Sequence, residues 1–113
     1  MGWHVIADRY TDQWKLLPLG VGEQGKGIAV FEFSFQARQF VEANWETLGP
    51  GWVPLELNTD QLVYVLELHA DAGEAQWVIR DVPTVKIEPN TVTQEAKFAD
   101  IREFIAVMKE KDE

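Results

Sequence analysis

Few side chains in this sequence could carry chemistry. It has no cysteine, one serine (Ser34) and two histidines (His4 and His69), which removes thiolate nucleophiles, disulfides and Cys-ligated zinc together. His4 and His69 fall in different elements, and two histidines make a metal site only if carboxylates complete it. His69 lies on the apolar side of its expected helix, which favours a hydrogen-bonded, partly buried histidine over a ligand or a base. His4 is opposite in phase to Trp3 and Val5 and is expected to be exposed. Ser34 as a nucleophile would need a neighbouring base, and its place just before a helical segment explains it more simply as a cap.

Carboxylates are plentiful, and two pairs have a four-residue spacing: Glu42 with Glu46, and Glu67 with Asp71. Such a pair shares one helix face and could bridge a divalent cation or, if buried, do acid–base work. A solvated face is the simpler reading, because like charges at this spacing cost only a few tenths of a kcal/mol on a surface. Gly20-Val21-Gly22-Glu23-Gln24-Gly25-Lys26-Gly27 satisfies G-x-G-x-x-G and comes one residue from a phosphate-binding loop. Both motifs need a helix after the glycines to present its amides to phosphate. Here a strand-like run follows, and Gly27 stands where a hydroxyl is required, so the segment reads as a turn between strands.

Tryptophan is in excess, with five in the chain. Trp3, Trp14 and Trp77 fit inward strand positions. Trp45 and Trp52 bracket the loop that ends in Gly49-Pro50-Gly51, and Trp52 falls in phase with Pro54 and Glu56. Exposed aromatics near an edge strand are what a binding surface uses, while helix packing over that side would make Trp52 a core residue. Arg38 is either an anion or partner contact or an ordinary surface residue. Trp45, Trp52, Glu56 and Arg38 are therefore the candidate partner surface.

These residues need elements to hold them. Alternation of apolar and polar residues predicts strands over 3–10, 14–19 and 28–33, with antiparallel hairpins at the N-terminal end. At Ser34 the period becomes helical: Ala37, Phe40, Val41 and Trp45 share a face, and the helix should end before Leu48-Gly49-Pro50-Gly51. A strand over 52–57 follows, and because Pro54 cannot donate to a ladder it belongs at an edge or a bulge. Residues 58–73 could be strand or helix on periodicity alone. Capping by Asn58 or Thr59, an acidic Asp60 and a terminal Gly73 decide for a helix with Leu62, Val65, Leu66 and His69 inward. Strands are expected over 76–82 and 85–87. A C-terminal amphipathic helix is expected over 93–111, capped by Thr91 or Thr93, with Phe98, Ile101, Ile105 and Met108 as its stripe. Two strand–helix–strand crossovers would span 28–82.

The run Gly27-Ile28-Ala29-Val30-Phe31-Glu32-Phe33-Ser34 with its Ala- and Phe-bearing helix resembles the strand-plus-helix opening of small SseB-type domains. Asp60-Gln61-Leu62 through Ala72-Gly73 and the strand after it resemble their second helix and strand. The resemblance covers residues 27–83 and implies an α+β bacterial accessory domain with a protein-binding role. The N-terminal hairpin and the C-terminal helix lie outside it.

Composition bounds the rest. With 46% apolar residues over 113 positions the chain can bury one sizeable core. No apolar run exceeds five residues, against the ~20 needed to span a bilayer. Ten basic against nineteen acidic residues leave a charge of −9, a field that repels phosphate backbones, and no basic cluster offsets it. The expectation is a single α+β domain over 1–113, with a mixed sheet of five to six strands, N-terminal hairpins, two crossover helices and a C-terminal helix. It is expected in the cytoplasm, with no cofactor, metal, nucleic acid or membrane. Its expected function is a non-catalytic protein-interaction or regulatory module, self-association included. The alternatives are an acidic inhibitor or immunity-type protein for a basic partner, and a small ligand-binding domain or carboxylate-dependent enzyme.

Overall fold

The computed structural model describes residues 2–8, 15–20, 25–80 and 97–111. Along the chain run β1 (Trp3–Asp8), β2 (Pro18–Gly20), β3 (Lys26–Ala29), α1 (Ser34–Ala43), α2 (Trp45–Leu48), β4 (Trp52–Leu57), α3 (Thr59–Asp71), β5 (Trp77–Arg80), β6 (Lys97–Asp100) and α4 (Ile101–Lys111). The fold is α+β with a mixed sheet, as its composition and periodicities predict. β1 and β4 form one antiparallel ladder, and β2-β3-β5-β6 form a four-stranded sheet in which only β3 and β5 are parallel. Antiparallel bridges from His4 to Phe31 and from Ala7 to Leu16 stitch the ladder to the sheet.

β1 runs antiparallel both to β4 and to the chain at Phe31, so β3, β4 and β5 all point the same way. α1 lies between β3 and β4, and α3 between β4 and β5, which gives the two expected crossovers. Alternate strand residues bury themselves on opposite faces. Val5, Ala7, Ile28, Val30, Leu57 and Val78 share a cluster with Leu62, Val65 and Leu66 of α3 and with Ile101, Phe104, Ile105 and Met108 of α4. Ile6, Leu19, Ala29, Phe31 and Ile79 pack with Ala37 and Phe40 of α1. Helices thus cover both faces of the sheet. The first crossover moves outward over one face and the second returns over the other, so both have the same hand.

α3 matches its expected form closely. Gln61 N donates to Asn58 Oδ1 at 2.8 Å and Asn58 N to Gln61 Oε1 at 3.0 Å, a reciprocal cap. Gly73 closes the helix at φ 72°. Leu62, Val65, Leu66 and His69 are its buried residues.

Three expectations are corrected. The N-cap of α1 is Phe33, with Ser34 inside the helix; Phe33 N donates instead to Gln36 Oε1 at 3.4 Å. The helix expected over 93–111 begins at Ile101, because Lys97–Asp100 pairs with β5 as β6. Asp100 Oδ1 caps α4, accepting from Arg102 N at 2.9 Å and Glu103 N at 3.2 Å. His4 is half-buried rather than exposed, since its main chain bridges to Phe31. The strand expected over 85–87, the caps Thr91 and Thr93, and Trp14 lie outside the described residues.

Candidate functional site

The chain turns from α2 into β4 through Gly49 and Gly51, at φ 79° and 102°. That left-handed backbone is open to glycine at little cost and lets Trp45 and Trp52 stand near each other across a sharp reversal. Between α1, α2 and β4 lies an open groove of about 520 Å³. Arg38, Val41 and Glu42 line it from α1, Trp45 from α2, and Trp52, Val53 and Pro54 from β4. Trp52 and Val41 are half-buried and pack on the cluster around Phe40, so the groove floor is fixed by the core. Trp45 is 57% exposed at the rim. It does not join Ala37 and Phe40 inward, because the helix breaks at buried Asn44, whose Nδ2 donates to Phe40 O at 2.8 Å.

Three of the four candidate residues, Arg38, Trp45 and Trp52, therefore line one groove. Glu56 does not line it; it sits farther along β4, beside Gly2. The sequence reading did not join Glu42 and Glu46 to this surface. Glu42, four residues after Arg38 and three before Trp45, has a helical-face spacing that could have done so, whereas Glu46, next to Trp45 in sequence, has none.

The edge of β4 is partly closed. The amides of His4 and Asp8 turn away from β4, toward Phe31 O and Lys15 O at 2.9 Å each. By antiparallel alternation Val53, Leu55 and Leu57 bond to β1, while Trp52, Pro54 and Glu56 face outward. No described strand pairs with that outer edge. Proline has no N–H, so an incoming strand would find no donor at the middle of the three outward positions. Side chains entering the groove suit this surface better than a main-chain ladder.

His69 is accounted for within the fold. It is 4% exposed, Leu16 N donates to its Nε2 at 3.0 Å, and its Nδ1 faces Val65 O at 2.8 Å. A neutral imidazole that accepts at Nε2 carries its proton at Nδ1, which then donates to Val65 O. Both nitrogens are used. Glu67 and Asp71 are bound across to α4, by Lys109 Nζ at 2.6 Å and Arg102 Nη2 at 2.7 Å. The glycine-rich segment joins β2 to β3, two antiparallel strands, and residues 21–24 within it lie outside the described residues. Among the described residues no three metal-ligating side chains converge, and no helix is long and apolar enough to cross a membrane.

A scan of protein-family models gives no match to this chain, and a search of curated proteins gives none either. The functional reading rests on the groove.

Proposed function

We propose that this chain is a non-catalytic protein-interaction module whose contact surface is the α1–β4 groove at Trp45. The observation that carries the reading is a tryptophan more than half exposed at the rim of a mainly apolar groove whose floor is anchored in the core. Large apolar side chains held open beside fixed pockets are where binding energy concentrates in protein interfaces. The resemblance to SseB-type domains supports the same role, and the absence of cysteine suits a reducing cytoplasm. Pro54 on the outward edge favours a partner that inserts side chains over one that adds a strand.

The test compares immobilised wild type with the Trp45→Ala variant in an extract of the native cell. Trp45 is more than half exposed and belongs to neither core cluster, so the substitution should leave the fold intact at a cost of about 1–2 kcal/mol for the covered part of the indole. The expected outcome is a protein held by wild type and absent from the variant. Identical retained sets on both columns would overturn the assignment.

A further inference from the structure

Trp45 stands between two recesses, and the second has a different chemistry from the groove. It encloses about 310 Å³ and is walled by Glu42, Ala43, Trp45, Glu46 and Thr47. Glu42 belongs to both recesses. The second is thus an exposed indole flanked by two exposed carboxylates. An indole face carries negative potential and attracts cations within about 6 Å, and a carboxylate adds charge-assisted hydrogen bonds.

The fold uses this combination internally. Arg80 lies 5.8 Å from the Trp3 ring centroid while its Nη2 donates to Glu32 Oε1 at 2.9 Å. Indole, carboxylate and guanidinium are assembled there. At Trp45 the indole and carboxylates are assembled too, and no described cation lies in ion-pair range of Glu42 or Glu46.

We propose that the partner of this surface is a basic protein segment, which seats an Arg or Lys side chain against Trp45 between Glu42 and Glu46. An adjacent apolar side chain of the same segment enters the groove over Val41, Trp52 and Pro54. This inference rests on the interaction reading above and specifies its occupant. Charge complementarity selects it at two ranges. Locally, the second recess holds Glu42 and Glu46 with no basic residue in its wall, while in the first groove Arg38 offsets Glu42, so the cation is favoured in the second recess and the apolar side chain in the first. At long range the net charge of −9 steers a positive segment inward.

A random peptide library panned on the full chain tests this. The best enriched peptide is then titrated against wild type, the Trp45→Ala variant and the Glu42→Gln/Glu46→Gln double variant. The expected peptides carry Arg or Lys beside an apolar residue. Their affinity should fall about tenfold in the double variant and further in Trp45→Ala, and should weaken with salt. Replacing the peptide's basic residue by norleucine should abolish the difference between wild type and the double variant.

Peptides that need Trp45 but bind the double variant equally well would overturn the basic occupant and leave the interaction surface standing. Peptides that bind independently of Trp45, or no enrichment, would overturn both. A wild-type dimer in sedimentation that Trp45→Ala dissolves would assign the surface to a second copy and also overturn the basic occupant.

Discussion

His69 joins α3 to the chain beside β1 through a single accepted hydrogen bond from Leu16 N, fifty-three residues away in sequence. The ring is buried, so its removal would affect both packing and a main-chain donor. His69→Leu nearly keeps the volume but leaves the Leu16 amide without an acceptor. We expect it to lower unfolding free energy by about 1–3 kcal/mol, the cost of a buried unsatisfied donor, read from urea denaturation. His69→Ala should cost more, because a cavity is added to the lost bond. If His69→Leu were as stable as wild type, the pairing would contribute nothing. The inward position of His69 follows from helical spacing alone, but its partner does not, since no local pattern brings residue 16 to residue 69. The candidate surface divides in the same way. Trp45, Trp52 and Arg38 are legible as types near a turn, whereas their meeting in one groove depends on α1 packing over β4.

Elements were legible where local signals and tertiary packing agree. α3 has a cap, an acidic first turn, an inward stripe and a terminal glycine, and its bounds follow. The segment before α4 is where they disagree. Phe98 falls in helical phase with Ile101, Ile105 and Met108, yet the unsatisfied edge of β5 takes Lys97–Asp100 as a strand, with Ile79 opposite Phe98. A ladder partner outweighs intrinsic propensity there. The cap was nonetheless written in the sequence: Asp100 with Glu103 three residues on is a helix-start signature. β4 shows the reverse case, in which one residue settled the element's place. Pro54 predicts an edge, β4 has only β1 as a described neighbour, and the register turns the missing N–H outward. Pro54→Thr would restore that donor and improve strand propensity while leaving the β1 ladder intact. We expect concentration-dependent self-association in light scattering beyond any that wild type shows, because a bare edge pairs with another chain. If the variant stays as monodisperse as wild type, proline is not what guards the edge.

Across the whole molecule, charge acts on stability and on binding with opposite signs. Nine excess negative charges repel one another more in the folded state than in an expanded chain. At a mean separation of ~15 Å in water each pair costs ~0.3 kcal/mol. Expansion roughly doubles the separations, so folding at vanishing salt bears a repulsion of several kcal/mol. Against it stand the exposed pairs Arg80–Glu32, Arg102–Asp71 and Lys109–Glu67, each worth about 0.2–1 kcal/mol and weakened by the same ions. The repulsion is the larger quantity, so sodium chloride raised from ~0.01 M to ~0.5 M, which shortens the screening length from about 30 Å to a few Å, should raise the urea midpoint. A falling midpoint would mean that ion pairs outweigh net charge. Binding of a basic segment at Trp45 should respond the other way, weakening over the same range as its attraction is screened. Measured on one preparation, the two opposed slopes separate a surface that recognises positive charge from one that salt strengthens through apolar burial alone.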